Sequence, residues 1–457
     1  MISGMDQARG IAYQCLYEVL EEQGYSNLVL KQNLASADLS AKEKAQVTAM
    51  VYGTITRVYT LDAVLSRYLS KDLSKLHGPV RTCLRMGAWQ ILFSYGVKNY
   101  AAVSETVELV KHVGPKGAES MVNAVLRKVA EEGEEFLSSI PKKKAGIRYS
   151  LKSEIAGCLL KWYGQEKGNA LMEAFLTIPK VTVRTNLFRT SVKALEKELE
   201  KEGISFSESE VLPYGIEFSG NPTDISTLNS YREGLFSVQS LSAMLVGHIA
   251  DPRPGFSVLD TCSAPGGKTT HMAEIMKDQG RIDALDANEV RLRMVDEAAK
   301  RLGLSIIHTM PYDCTYLQEE KEKLLTEYDL VLCDVPCSGL GLLHRKPDIR
   351  LTMDYEKMQA LIPVQEKILE NSCERVKAGG CLVYSTCTID PAENQLQIGH
   401  FLTLHPEFTC EDFSEMLPDN IKKNPRILKE AGEGMLTLLP DEGEFDGFFI
   451  AKLRRKE

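Results

Sequence analysis

The chain has 457 residues, 44% of them apolar and 26% charged, too long for one ordinary core, so two or three domains are expected. Its net charge of −9 counts against a nucleic-acid binder, a class that is usually basic. MISGMDQARG is too polar for a secretory signal and no run of about 18 apolar residues occurs, so the reading is a soluble, cytoplasmic protein with no membrane partner.

Residues 4–135 read as helical. Apolar residues recur at three- and four-residue spacing in AYQCLYEVLEE, AQVTAMVYGTITRVYTLDAVLSRYL, VRTCLRMGAWQILFSYG and VSETVELVKHV. Breaks fall at Gly24, at His77-Gly78-Pro79 and at Gly114-Pro115. DLSAKEK opens a helix, with Ser40 as cap and Glu43 three residues on. EEGEEFLSSIPKKKAG (131–146) is polar and reads as a linker.

The next stretch changes character. KVTVRTNL (180–187) alternates like a strand, SVKALEKELEKEGI (191–204) is an amphipathic helix with Glu–Lys pairs, and GIEFSG and GLFSVQ are short strands. From about 236, SVLD, RIDALD, IIHTM, DLVLCDVP and GGCLVYST alternate with helical stretches, the pattern of a parallel sheet. GFFIAKL (447–453) adds a last strand. The expected architecture is multi-domain: an all-α domain over 1–140, a small α+β module over 141–235, and a Rossmann-like α/β domain over 236–457.

The 11 cysteines are scattered with no CxxC pair, which argues against a disulfide framework and against a zinc site. Cys15, Cys83, Cys158 and Cys373 read as core. The charge is uneven. Lys142, Lys143 and Lys144 lie in KKKAGIR, Lys422 and Lys423 in KKNPRILK, and Arg345 and Lys346 in HRKPDIR. Such local basic runs can hold phosphates even on an acidic protein, although each alone is also an ordinary solvated surface.

The first strand of the last domain ends in DTCSAPGGKTTHMAE. Asp260 closes it, Pro265-Gly266-Gly267 makes a tight turn, and Lys268 opens a helix. That is a nucleotide-type pocket, but the spacing does not fit a P-loop. Asp286 ends the second strand, where a carboxylate binds ribose hydroxyls, and Asp313 follows the third, where it reaches an adenine amino group; the plainer alternatives are a helix cap and a loop acid. Acids rather than cations suit S-adenosylmethionine, which has a sulfonium and no phosphate.

Cys337 follows the fourth strand in DVPCSGLG, and Cys387 follows the fifth in YSTCTIDPAEN. If those strands are neighbours, both thiols enter one crevice. A methyl donor beside a thiol suggests methylation at the fifth carbon of cytosine: a thiolate adds to the sixth carbon, Asp334 steadies the ring, and a second thiol removes the proton that frees the enzyme. Lys268, helix ends and the sulfonium are all candidate sources of thiolate stabilisation.

CSAPGGKT, DVPCSGLG and YSTCTIDPAEN, in that order and spacing, resemble the RsmB/Sun family of ribosomal RNA cytosine-5 methyltransferases, over nearly the whole chain. The resemblance implies a class I methyltransferase domain with Cys387 as nucleophile and Cys337 aiding product release. It implies that Cys262, Ser263, Ala264, Pro265, Gly266, Gly267, Lys268, Asp286, Asp313 and Asp334 bind the cofactor or lie beside it. YSNLVL, VYGTITR, LRMGAWQIL, YAAVSETVELVK and VNAVLRKV resemble a NusB-type RNA-binding domain, which implies 16S ribosomal RNA or an assembling small subunit as partner; a monomer is expected. Ser263 and Val335 depart from the commonest family residues without removing a functional group. Three rivals remain: the two cysteines with exchanged roles, methylation of an exocyclic amine, and a non-catalytic RNA-binding assembly factor.

Overall fold

The computed structural model describes residues 6–220, 224–316 and 324–457. They divide into two compact units, Met1–Thr177 with Leu343–Asp354, and Ile178–Leu342 with Tyr355–Glu457.

The first unit is helical. Helices Gln7–Leu20, Ser26–Ala35, Ala41–Thr56, Val58–Tyr68, Gly78–Phe93, Asn99–Val113 and Ala118–Ser139 enclose one apolar core that includes Leu16, Met50, Val51, Leu65, Leu84, Leu109 and Leu126. Burying each such side chain contributes about 1.5–3 kcal/mol. Ser40 and Glu43 form the expected reciprocal cap. Gly53 lies against the Trp89 indole, where an added Cβ would come within 2.3 Å of the ring. Residues 131–139 are not linker: they continue the helix that began at Ala118, because Gly133 is buried and packs on Leu92. Cys15 and Cys83 are buried as expected, but Cys158 is only partly so.

Leu343–Asp354, far along the sequence, belongs to this helical unit. Arg350 explains its anchorage. Its fully buried guanidinium donates to Tyr149 O at 3.2 Å, Ser150 O at 3.0 Å and Phe175 O at 2.6 Å. Asp348 accepts from Ser26 N and Ser26 Oγ, both at 2.9 Å.

The second unit has two sheets. Strands β1 (Val181–Thr185), β2 (Phe206–Glu208), β3 (Gly215–Phe218) and β4 (Phe236–Val238) form an antiparallel sheet in the order β2-β3-β1-β4. Leu195 and Leu199 of helix Val192–Lys201 pack with Val183, Ile216, Phe218 and Phe236.

The larger sheet contains β5 (Ser257–Asp260), β6 (Arg281–Asp286), β7 (Ile307–Pro311), β8 (Tyr328–Asp334), β9 (Val376–Thr386), β10 (Phe408–Cys410), β11 (Met435–Leu438) and β12 (Phe448–Arg455). Its order is β10-β12-β9-β8-β5-β6-β7, with β11 on β12. β5 to β9 are parallel, and β5, β6, β8 and the latter part of β9 are mostly buried, whereas β7, at the edge of the sheet, is only partly so. β12 runs antiparallel to β9, so the sheet is mixed rather than purely parallel. Among the described residues no helix is long and apolar enough to cross a membrane.

Candidate active site

Four strand ends build the site. β5 ends at Asp260, β6 at Asp286, β8 at Asp334 and β9 at Thr386. β5 lies between β6 and β8, so the strand order reverses there, and open α/β sheets hold ligands outside such a point.

Residues 261–266 make the tight turn. Thr261 N donates to Leu332 O at 3.0 Å, Ser263 N to Leu285 O at 2.7 Å, and Gly266 N to Ser263 O at 2.8 Å. Gly266 sits at φ +99°, and a Cβ there would meet Val295 Cα at 3.1 Å, so both backbone and space require glycine. Gly267 and Lys268 then begin helix Gly267–Ile275. Asp286 accepts from Ala264 N at 3.3 Å and from Asn288 N at 2.8 Å, which braces the turn. The cap of helix Glu289–Leu302 is Asn288, not Asp286. Asp313 accepts from Thr315 N at 2.9 Å and Thr315 Oγ1 at 2.6 Å.

Two buried oxygens of this region, Asp260 Oδ1 and Ser263 Oγ, find no hydrogen-bond partner among the described residues. Burial pushes the Asp260 carboxyl up to about 7, against the Thr269 hydroxyl that bonds its other oxygen at 2.7 Å. Burial likewise holds the Cys262 thiol well above its ordinary value, so this loop cysteine stays a protonated, apolar wall.

β8 and β9 are neighbours, with Asp334 opposite Ser385. Ser385 Oγ donates to Asp334 Oδ1 at 2.7 Å, and Lys268 Nζ to Asp334 Oδ2 at 2.6 Å. Just beyond each strand end stand the thiols, Cys337 Sγ and Cys387 Sγ, 3.3 Å apart. That is a thiol–thiol contact, far longer than a disulfide of about 2.05 Å, and neither cysteine is part of a disulfide.

The loops that carry the sulfurs are tied to one another. Ser338 Oγ bonds Thr388 Oγ1 at 2.7 Å, and Gly341 N donates to Cys387 O at 3.1 Å. Glu393, fully buried, accepts from Ser338 N at 2.9 Å and Gln365 Nε2 at 2.7 Å, while Gln365 Nε2 also donates to Pro336 O at 3.0 Å. A Cβ on Gly341 would fall 1.8 Å from Gly447 O, so the loop passes flush against the entry to β12.

The hydrogen bond to Cys387, and then burial, push the Cys337 thiol well above its ordinary value, so Cys337 keeps its proton. Burial alone would lower the Lys268 ammonium, but Asp334 and an ionised Cys387 sulfur outweigh it and raise the net value.

Comparison with known proteins agrees with this arrangement. The family model for 16S rRNA methyltransferase RsmB/F matches residues 248–454, that of the NusB family residues 6–131, and that of the RsmF/B-like ferredoxin-like domain residues 157–225. The probable ribosomal RNA small subunit methyltransferase B of Bacillus subtilis (strain 168) is 34% identical over 98% of this chain and 98% of its own length. The chain belongs to the RsmB/F methyltransferase family. Its counterpart in Synechocystis sp., a protein of the same description, is 34% identical over 99% of this chain and all of its own. The crystal structure of PH0851 shares the fold, with a TM-score of 0.81 over 98% of this chain and 99% of that one, at 24% identity. The helical front is thus NusB-like, the four-stranded module ferredoxin-like, and the large sheet a Rossmann-like methyltransferase core.

Sequence reasoning missed part of this RsmB/F site. Arg184 of β1 is fully buried. It donates to Glu274 through Nε at 3.0 Å and Nη2 at 2.7 Å, to Gly267 O at 2.9 Å, and to Gln239 Oε1. The ferredoxin-like module therefore grips the helix behind the glycine turn. The available signal was an arginine in the β-branched strand VTVRT. Glu393 lies inside the YSTCTIDPAEN motif, but nothing local marks it as the brace between the two cysteine loops.

The basic runs have different fates. Lys142, Lys143 and Lys144 are exposed in the helical unit, with no ion pair among the described residues. Arg345, half-buried, and Lys346, exposed, belong to the same unit. In the second unit Lys422 Nζ pairs with Glu415 at 3.3 Å and Arg426 with Glu430 at 2.7 Å and with Glu442. Lys423 is exposed. The run that looked purely basic is neutralised by acids from neighbouring turns.

Proposed function

We propose that this protein methylates the fifth carbon of a cytosine in 16S ribosomal RNA, using S-adenosylmethionine and a transient Cys387–cytosine bond. The observation that carries the reading is the 3.3 Å approach of two sulfurs beside the Lys268–Asp334 pair, at the ends of adjacent parallel strands. Simple core packing does not call for two half-buried thiols next to a partly buried ion pair.

The residues fit the cofactor. The glycine turn leaves backbone open to a ligand, Asp286 lies where a ribose diol would bind, Asp313 where an adenine would, and the orphaned Asp260 and Ser263 oxygens mark a polar recess nearby. When bound, S-adenosylmethionine supplies the electrophilic methyl group. Cys387, as the thiolate favoured by Lys268, adds to the sixth ring carbon and makes the fifth nucleophilic. Asp334, fixed by Lys268 and Ser385, faces the ring's third nitrogen and amino group. Once Cys387 is bonded to the ring, Cys337 gives its own proton to solvent; as a thiolate it takes the proton from the fifth carbon, the electrons of that C–H bond re-form the ring double bond, and the bond to Cys387 breaks to release it as a thiolate. A base within a helix is out of reach, so the target is unpaired or flipped out.

Purified protein given labelled S-adenosylmethionine and unmodified 16S rRNA is expected to leave 5-methylcytosine, mapped by bisulfite sequencing. Label on an exocyclic amine, or no transfer although the cofactor binds, overturns the reading.

The exposed Lys142–Lys144 turn, and Arg345, Lys346 and Lys423, are the proposed phosphate contacts, with Lys422 weaker because Glu415 already pairs it. Replacing Lys142–Lys144 by alanine should weaken RNA binding and reduce the salt slope by roughly 2–3. Cofactor affinity should stay unchanged. Filter binding across a salt series reads both; an unaltered slope removes that turn from the interface.

A further inference from the structure

Gln239 stands just after β4 and is 7% exposed. Its oxygen accepts from Arg184 Nη1, which fixes the amide so that Nε2 points the other way. Nε2 has no hydrogen-bond partner among the described residues. Buried amide donors in native proteins are almost always satisfied, so this one awaits an acceptor. The direction it faces is given by Gly267: a Cβ built there would meet Nε2 at 3.9 Å and nothing else within 4 Å. On that side of Gly267 no atom outside its own helix and chain neighbours comes closer than the amide. Gly267 is also the first residue of helix Gly267–Ile275, whose leading N–H groups lack intrahelical acceptors and carry the positive end of the dipole. A donor amide and a helix N-terminus facing one space select an anion with two acceptor oxygens.

We propose that Gln239 is a binding residue for the α-carboxylate of the amino-acid portion of S-adenosylmethionine, with Arg184 orienting its amide. This rests on the functional reading above. It gives the ferredoxin-like module, through β1 and Arg184, a direct hand in cofactor affinity.

Isothermal titration of the full-length protein with S-adenosylmethionine and with its decarboxylated analogue tests the assignment. The preference of the wild type for the carboxylate-bearing ligand should fall roughly ten- to hundredfold in Gln239→Glu, the loss expected for one hydrogen bond to a charged group. That variant keeps an oxygen for Arg184 while removing the donor, and thermal unfolding should confirm that it folds. Gln239→Leu should show the same loss of preference. Equal weakening of both ligands, or no change in the ratio, overturns the assignment and leaves the functional reading intact. A wild type that binds neither ligand overturns both.

Discussion

Replacing Cys387 by alanine should lower methyl transfer to 16S rRNA by on the order of 10⁴- to 10⁶-fold, the scale on which losing a covalent nucleophile acts. Cofactor affinity should be unchanged, because the turn at 261–266 is held by its own backbone bonds and by Asp286, not by Cys387. Cys337→Ala should behave differently. In the proposed mechanism Cys337 takes the ring proton after giving its own to solvent, so its loss should leave enzyme and RNA joined. A denaturing gel with labelled RNA reads this directly: a retarded band for the Cys337 variant and none for the Cys387 variant. The opposite pattern would exchange the two roles. In the proposed mechanism Lys268→Met should act on the same step, since it removes an ammonium coupled to the Cys387 sulfur and frees one oxygen of Asp334.

The second large effect is on stability. Arg184→Met leaves the Glu274 carboxylate in the interior without its guanidinium, and removing one member of a buried pair costs about 3–5 kcal/mol. The deficit should depend on pH. Burial already raises the Glu274 carboxyl above its ordinary 4.5, with Arg184 opposing that rise, and removing Arg184 raises it further. Below about pH 4.5 the carboxyl is protonated in both folded and unfolded chains, so the variant should lie close to the wild type. As pH rises the unfolded chain ionises first, and the deficit grows until the folded-state value is passed. Hydrogen exchange of the Gly267–Ile275 amides at pH 5 and pH 8 measures it locally, which suits a chain of several domains better than one global midpoint. An equal deficit at both pH values would mean that lost packing, not the stranded charge, is responsible.

The parts of the site that lie within one short motif were legible in the sequence. The glycine turn, the acids at strand ends and both thiols are local features, whereas the adjacency of β8 and β9 entered the sequence reading only as a condition, because alternation of strands and helices implies a parallel sheet but not its strand order. What escaped notice depends on partners distant in the chain. Arg184 and Glu274 are 90 residues apart, and no local pattern links them. Lys422 and Arg426 look free until folding brings Glu415 and Glu442 alongside. Residues 131–139 are polar enough to pass for a linker, yet Gly133 packs on Leu92 of an earlier helix, and that tertiary contact outweighs composition. β10 and β11 are only three and four residues long, too short for periodicity to register.

The route of the backbone between Leu342 and Tyr355 bears on how this molecule can be taken apart. Cutting the chain at residue 177 would strand Arg350 and Asp348 in the carboxyl-terminal fragment, severed from the carbonyls and the serine that satisfy them. A fragment beginning after residue 177 would carry that stretch without the carbonyls and the serine it binds, so the stretch should be less well ordered there than in the whole chain, and the two units are expected to be inherited together.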